Sequence, residues 1–290
     1  MSLEASRVES QMSLYSNMLA FLSTPLIRFS TSEQSRKKQL YEDLSTEFPL
    51  PQWKVLAVAA IFFSFCGALL LIYFTMPDID PEALKIPRNL ADLQVMKEHL
   101  SVYTKDYTFQ VLTGYVAVYI FMQAFMIPGT IFFSLLAGAL FGIYKGIILV
   151  VCSATAGASA CYFLSRAFGA PLAVWLWPQQ IHFFRAEVAK REGRLLNYML
   201  FLRVTPTLPN TFINFASPIV NIPYHTFFLA TLFGLVPASF LSVRAGLTLG
   251  QLDSVGDLYD AKTVISLFIL GLLFILPTVL TRQPQKTRSL

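Results

Sequence analysis

"RVTPTLPNTFINFASPIVNIP" (residues 203–223) holds four prolines, three asparagines and one arginine between two strongly apolar flanks, LLNYMLFL and YHTFFLATLFGLV. Proline breaks a helix because it has no N–H to donate and its ring clashes with the preceding turn. Amide and guanidinium groups are costly in hydrocarbon unless they find hydrogen-bond partners. We therefore interpret the stretch as the broken tip of a membrane hairpin, whose freed backbone groups face protein or a water-filled cavity.

The overall composition supports a membrane setting. Hydrophobic residues make up 55% of the 290 residues, charged residues only 13%, and the mean hydropathy is +0.57. An average soluble domain is far more polar than this. The three cysteines, Cys66, Cys152 and Cys161, lie in apolar runs without metal-binding or redox spacing, which argues against a disulfide framework. We expect an all-α polytopic membrane protein.

The chain before the opening stretch begins with three distinct segments. Residues 1–51 are rich in serine and mixed in charge, and we expect them to be disordered and cytosolic. Residues 52–76 are apolar over a length that crosses a hydrocarbon core of about 30 Å, with Trp53 and Tyr73 as interfacial anchors, so they form the first transmembrane helix. Residues 77–106 are polar and predict a luminal segment.

The distribution of charge predicts which segments face the cytosol. Basic residues outnumber acidic ones in the loop 167–195 and in the tail 283–290, whereas the loop 248–261 has three aspartates and no basic residue. The positive-inside rule then places both termini and the loop 167–195 in the cytosol. The segments 77–106 and 248–261 are luminal.

This sidedness predicts two re-entrant hairpins. The hairpin 196–223 has fewer than 30 residues in which to leave the cytosol and return, whereas two full crossings need about 40. The hairpin 109–145 breaks at IPGT (127–130) and enters from the luminal side. A span follows each hairpin, and a further span precedes the tail. These three spans are residues 146–166, 224–247 and 262–281.

The two predicted hairpins enter the membrane from opposite faces, which makes an inverted-topology repeat. The sequences at the breaks are alike, with PGTIF at 128–132 and PNTFI at 209–213. Such repeats place a substrate path near the midplane, between broken helices.

Four stretches carry a family resemblance: FMQAFMIPGTIFFSLLAGALFG, CSATAGASACYFLSR, NYMLFLRVTPTLPNTFINFASPIVNIP and GLVPASFLSVRAGLTLGQL. They resemble VTT-domain proteins of the DedA superfamily, most closely the eukaryotic transmembrane-protein-41 type, over residues 107–282. The resemblance implies energy-independent phospholipid scrambling in the endoplasmic reticulum membrane, in support of autophagosome formation and lipid mobilisation. The partners it implies are phospholipids, with phosphatidylserine as a candidate, sterol, autophagy lipid-transfer proteins and another VTT-domain protein. It implies no cofactor, no metal and no nucleic acid.

The candidate lipid-headgroup path lies around the two breaks and comprises Arg203, Thr205, Pro206, Pro209, Asn210, Asn214, Pro128, Gly129 and Arg244. Asn210 and Asn214 are four residues apart and share one helical face. A central arginine costs at least about 2.5 kcal/mol to insert, so Arg203 needs a reason to be there. Two interpretations stay open, since the side chain either snorkels to cytosolic headgroups or captures phosphate at the groove entrance. The same alternatives apply to Arg244, near the opposite face.

Small residues repeat at helical spacing between the two breaks. We interpret four glycines as sites of close helix packing, with a lipid-facing cleft as the alternative: Gly138, Gly142, Gly146 and Gly157. The segment 177–197 places Ile181, Phe184, Val188 and Leu195 on one side of a helix with bases elsewhere. This pattern predicts an amphipathic helix on the cytosolic leaflet, and partner binding is the alternative.

The sequence disfavours enzymatic and proton-driven functions. It contains no phosphate-binding loop, no His-Glu-x-x-His, no Cys-x-x-Cys and no Gly-x-Ser-x-Gly. No aspartate or glutamate occurs in residues 107–186 or 193–252, whereas proton-coupled carriers usually keep an ionisable group inside the membrane. Besides a scramblase, two hypotheses remain: a secondary transporter of a small anion or lipid-linked phosphate, and a scaffold that recruits lipid-transfer proteins.

Overall fold

The computed structural model describes residues 51–75, 90–247, 265 and 268–272. The predicted segments 1–51, 248–261 and 283–290 lie outside the described residues except for Pro51, as does most of the predicted span 262–281. The described part of the chain is helical, with no strand in it. In chain order its helices are α1 Gln52–Thr75, α2 Leu90–Asp106, α3 Thr108–Ala124, α4 Thr130–Leu164, α5 Ala170–Leu176, α6 Pro178–Ala189, α7 Leu195–Val204, α8 Asn210–Ala216, α9 Tyr224–Gly234 and α10 Val236–Leu247.

Among the described residues, three stretches are long and apolar enough to cross a membrane, namely Gln52–Thr75, Thr130–Ala173 and Tyr224–Leu247. The chain is therefore a multi-pass membrane protein, and it is helical wherever the structure describes its secondary structure. The first stretch, α1, has no buried residue. It meets the rest of the molecule through an aromatic cluster, in which Phe62 and Phe65 lie against Phe121 and Phe125 of α3.

Helix α4 is broken at Gly142, whose φ of 74° and ψ of −176° belong to a region that is essentially open to glycine alone. The chain folds back there. A Cβ placed on Gly146 would lie 3.1 Å from the carbonyl oxygen of Ala137, nine residues earlier, whereas nine residues of straight helix span about 13 Å. We call the two arms α4a (130–141) and α4b (143–164). The first hairpin thus consists of α3 and α4a, and the following helix begins at 143 rather than at the predicted 146.

The second hairpin repeats this plan with shorter arms. Helix α7 ends at Val204, a five-residue break precedes α8, and the chain turns again before α9 at Asn221, which has a φ of 61°. Asparagine tolerates this left-handed backbone better than most residues. Both hairpins are therefore followed by a turn with positive φ and then by a long apolar helix, α4b in one case and α9 with α10 in the other.

Two buried clusters hold these elements together. One joins α4b, α6 and the second hairpin, and the other joins α2, α3, α4a, α4b and α10. Two hydroxyl groups also tie the second hairpin in place. Tyr162 Oη of α4b donates to the carbonyl of Ile222 at 2.7 Å, and Ser165 Oγ, in the π-helical turn Ser165–Gly169 that follows α4b, donates to the carbonyl of Phe215 at 2.6 Å. The hairpin backbone is thus fixed at both of these carbonyls by the end of α4b and the turn after it.

Helices α4a and α10 cross at almost direct backbone contact. A Cβ on Gly138 would lie 2.8 Å from the carbonyl carbon of Val243, and a Cβ on Gly246 would lie 2.8 Å from that of Leu135. Gly146 and Gly157 are also closely packed, whereas Gly142 has nothing within 4 Å. The interpretation of Gly142 as a packing glycine is therefore wrong, because its role is to allow the reversal of the backbone.

Two amphipathic helices pack differently from the sequence-based expectation. The predicted polar segment 77–106 contains α2, which buries Leu93 and Leu100 against the bundle. The apolar stripe of α6 faces protein rather than the leaflet, because aromatic residues of the second hairpin cover it. Phe184 is 1% exposed and its ring centroid lies 5.9 Å from that of Phe212.

Candidate functional site

The two helix breaks border one groove. We call residues 125–129 the first tip and residues 205–209 the second tip. Between them and α6 lies a cavity of about 470 Å³, lined by Phe125, Met126, Trp177, Gln180, Phe183, Phe184, Leu208, Pro209, Thr211 and Phe212. Its walls are mainly aromatic and aliphatic, with Gln180 and Thr211 as polar exceptions. The groove therefore brings both tips to a shared surface.

Arg203 lies buried behind the second tip, with 3% of its surface exposed. Its Nη1 donates to Asn210 Oδ1 at 3.2 Å, and its Nη2 donates both to Asn214 Oδ1 at 2.7 Å and to Thr231 Oγ1 at 2.8 Å. The guanidinium carbon also sits 5.0 Å from the centre of the Phe227 ring. We call Arg203, Asn210, Asn214 and Thr231 the Arg203 cluster.

The Arg203 cluster is short of negative charge and has donors to spare. Its acceptors are neutral amides and a hydroxyl, and no carboxylate contacts the guanidinium within the described residues. The Nε of Arg203 and the Nδ2 of Asn214 are buried without a hydrogen-bond partner in that part of the chain. A buried cation with unused donors favours an anion, and a guanidinium fork suits phosphate oxygens in particular.

Helix α6 is fastened over the second hairpin and forms one wall of the groove. Arg185 Nη2 donates to the carbonyl of Ile219 at 2.9 Å, at the turn where carbonyls lack helical partners. Burial lowers the pKa of Arg185. At the end of α6, Glu187 accepts hydrogen bonds from Lys190 and Arg191. Burial raises the pKa of Glu187, but these two bonds outweigh that effect and hold it below its usual value.

The comparisons with known proteins identify the family of this chain. The VTT domain matches residues 127–248, which include the Arg203 cluster and most of both tips. An uncharacterized membrane protein of Arabidopsis thaliana is 56% identical over 239 residues, covering 82% of this chain and 83% of the relative. Human Transmembrane protein 41B is 37% identical over 232 residues, covering 79% and 80%, and the mouse protein is 36% identical over 250 residues, covering 85% and 86%. The chain is a VTT-domain protein of the transmembrane protein 41 type. No solved structure matches it.

The structure of this VTT-domain protein gathers only part of the candidate path. Arg203 and Asn214 meet directly, and Asn210 joins them from the exposed end of α8. The snorkelling interpretation of Arg203 is wrong, because the guanidinium points to internal amides and not to the surface. Thr205 is buried and donates to the carbonyl of Phe201 at 2.6 Å.

The other candidate residues are not members of the Arg203 cluster. Pro206 and Pro209 are exposed on the second tip, and Pro128 is exposed on the first. Gly129 has a φ of 111°, a backbone conformation that favours glycine, so this residue allows the turn at the first tip. Arg244 is exposed on α10 and makes no recorded contact with Arg203.

Sequence reasoning missed Thr231, a member of the Arg203 cluster, and Phe227, whose ring lies against the guanidinium. Thr231 donates to the carbonyl of Phe227 at 2.6 Å and accepts from Arg203, and Phe227 covers the guanidinium with its ring. A signal for Thr231 was present, because it is a polar residue inside an apolar run and lies three positions before Gly234. The Arg203 side chain packs directly against that glycine, since a Cβ on Gly234 would lie 2.5 Å from Arg203 Cβ.

Proposed function

We propose that this protein is an energy-independent phospholipid scramblase of the endoplasmic reticulum membrane, which supports autophagosome formation and lipid mobilisation. The observation that carries the proposal is the buried Arg203 cluster, a positive charge with neutral partners and two unused donors. Pro209 and Thr211, which flank Asn210 of this cluster along the chain, line the groove that the two helix breaks border. A lipid phosphate supplies the missing negative charge. The acyl chains stay in the bilayer while the headgroup passes along the groove.

The short hairpin arms support a re-entrant arrangement in the membrane. Helix α7 has 10 residues and α8 has 7, so at 1.5 Å per residue they are about 15 Å and 10 Å long. Neither reaches across a hydrocarbon core of about 30 Å. Their broken backbone then lies at the depth where a headgroup meets the greatest barrier, and we place the termini and α6 on the cytosolic side.

The groove lowers the barrier for the headgroup without giving it a direction. A charged group in hydrocarbon is costly, and fixed donors on the protein replace the water it leaves behind. The sequence has no nucleotide-binding motif, and the segments 107–186 and 193–252 carry no carboxylate that could couple movement to protons. Transport in both directions at equal rates follows from this. Membrane phospholipids and sterol, lipid-transfer proteins and a second VTT-domain protein are the proposed partners.

A second candidate function uses the same cluster. Arg203 is nearly sealed from the surface, which also suits a secondary transporter that occludes a small anion or a lipid-linked phosphate. The two functions differ in their energy requirement, because a coupled transporter stops when its ion gradient is removed.

The test uses purified full-length protein in liposomes that contain acyl-chain-labelled phospholipid, with dithionite to bleach the outer leaflet. Wild-type protein should equilibrate the label without ATP and at equal rates with and without a pH gradient. Strict dependence on the gradient would favour the transporter. Absence of lipid movement under both conditions would reject scrambling.

The variant Asn214→Asp isolates the role of the positive charge. It keeps the shape of the side chain and places a carboxylate 2.7 Å from Arg203 Nη2, so the buried guanidinium is paired and the melting temperature should hold or rise. Phosphate then meets a neutral pair, and scrambling should fall at least tenfold. Asn221→Asp is the matched control, since Asn221 is exposed and aspartate tolerates its backbone. Full activity in Asn214→Asp would refute the phosphate-binding role.

A further inference from the structure

A second cavity, of about 300 Å³, lies between α1 and the rest of the bundle. Its described walls come from α1, α2, α3 and α4a, and they are apolar apart from two tyrosines. Tyr115 on the inner wall already donates its hydroxyl to the carbonyl of Phe133 at 2.9 Å, and Tyr73 lies near the end of α1 with 45% of its surface exposed. The described lining therefore suits an occupant without polar groups.

This cavity explains why α1 has no buried residue. Phe62, Phe65, Leu69 and Ile72 lie on one face of α1, since they follow one another at steps of three or four residues. The two phenylalanines contact rings of α3, whereas Leu69 and Ile72 line the cavity. Close-packed helices bury such positions. Here both residues are only partly buried, so the cavity, and not protein, faces the second half of α1.

The cavity has the length of an acyl chain in one leaflet. Its lining on α3 runs from Val111 to Met122, and these eleven steps of helix rise about 16 Å. Half of a hydrocarbon core of about 30 Å is about 15 Å. A volume of about 300 Å³ spread over about 16 Å gives a mean cross-section of about 20 Å². That cross-section suits a single extended hydrocarbon chain better than the fused rings of a sterol.

The two ends of the cavity differ. Phe121 closes one end, and its ring lies 5.2 Å from that of Phe125, which lines the groove between the two tips. Tyr73 marks the other end, eight residues and about 12 Å along α1 from Phe65, which contacts Phe121. Tyrosines near the ends of membrane helices lie at the level of the headgroups. A lipid in the cavity therefore has its headgroup near Tyr73 and the end of its chain beside the first tip.

We propose that this cavity binds one acyl chain of a membrane phospholipid. Apolar cavities exclude water and take up apolar molecules, and acyl chains are what surrounds α1 where it crosses the membrane. On the proposed topology the lipid belongs to the luminal leaflet. The bound chain completes the contact between α1 and the bundle, which protein side chains make mainly at Phe62 and Phe65. Such binding does not depend on the proposed scrambling activity.

The experiment uses purified full-length protein in nanodiscs with phosphatidylcholine that carries a diazirine in the middle of one acyl chain. After irradiation, mass spectrometry maps the labelled residues. Val118 and Phe121 line the cavity and are partly buried, whereas Ile148 of α4b is 66% exposed. Exposure alone predicts more label on Ile148. A bound chain reverses this order, and we expect at least threefold more label on Val118 and Phe121. More label on Ile148 than on either would overturn the proposal.

Variants that fill the cavity test the same site a second way. Val118→Trp should reduce the label on Phe121 at least fivefold, and Leu140→Trp, on the α4a wall, should do the same. Ile148→Trp is the matched control on an exposed surface and should leave that label unchanged. Melting temperatures identify any variant that does not fold. Unchanged label on Phe121 in a folded, filled variant would overturn the proposal, as would label from a diazirine sterol but not from the phospholipid.

Discussion

The crossing of α4a and α10 allows a quantitative test of how tightly the two repeats are joined. In Gly138→Ala the new Cβ falls 2.8 Å from the carbonyl carbon of Val243 and 3.1 Å from its Cα. The carbonyl oxygen of Val243 would lie closer still. Relaxed carbon contacts lie at about 3.5 to 4.0 Å, so the helices must separate by at least about 1 Å. Overpacking of this kind costs about 1 to 3 kcal/mol. Gly246→Ala meets the backbone of Leu135 at the same distances and should cost the same.

The double variant separates this mechanism from a general intolerance of alanine. Once one methyl group has moved the helices apart, the second fits the widened gap, so the two losses should not add and the coupling should be about 1 to 3 kcal/mol. The melting temperature of detergent-solubilised protein should fall by about 3 to 10 °C in each single variant and only slightly further in the double. Gly67→Ala, with nothing within 4 Å, should be neutral or mildly stabilising. Additive losses in the double variant would refute the reasoning.

Three further outcomes are expected. In Gly142→Ala the new methyl group has space, but alanine rarely adopts the backbone conformation of Gly142, so the strain should cost about 1 to 3 kcal/mol of stability. The melting temperature should fall, and an unchanged melting temperature would contradict the backbone reversal at Gly142. Arg185→Met removes the hydrogen bond to the Ile219 carbonyl and should speed amide hydrogen exchange in α6 more than in the other helices. An equal change in all helices would show that this bond does not hold α6 on the second hairpin. Cysteines introduced at Gln180 and Ser254 should label from opposite sides of the membrane, and labelling from one side would remove the inverted repeat.

Much of the site was visible in the sequence because it depends on local chemistry. Prolines at fixed positions mark the breaks, and Asn214 sits at helical spacing from Asn210. The depth of Arg203 could not be decided, since a flexible stem reaches either the surface or the interior from the same backbone position. Its partner Thr231 lies 28 residues away along the chain, and only the packing of α9 on α7 brings them together.

The glycines show a limit of a different kind. Gly138, Gly142 and Gly146 look identical in a four-residue repeat, and the pattern that predicts close packing also conceals a reversal of the backbone. In the structure Gly142 takes the positive φ, whereas Gly138 and Gly146 pack against Val243 of α10. Likewise the apolar stripe of α6 was predictable, whereas its partner was not, because lipid and aromatic side chains satisfy such a stripe equally well.

Helix α1 differs from the other apolar helices in what constrains its sequence. It has no buried residue and touches the bundle mainly where Phe62 and Phe65 meet α3. Lipid tails accept any apolar side chain, so most positions of α1 need only be apolar, and no particular residue is required there. Shuffling its leucines, valines and alanines around an unchanged pair of phenylalanines should leave the protein intact, whereas the same shuffling in α10 would meet a fixed surface at every turn. One chain thus contains a helix specified by composition and another specified residue by residue.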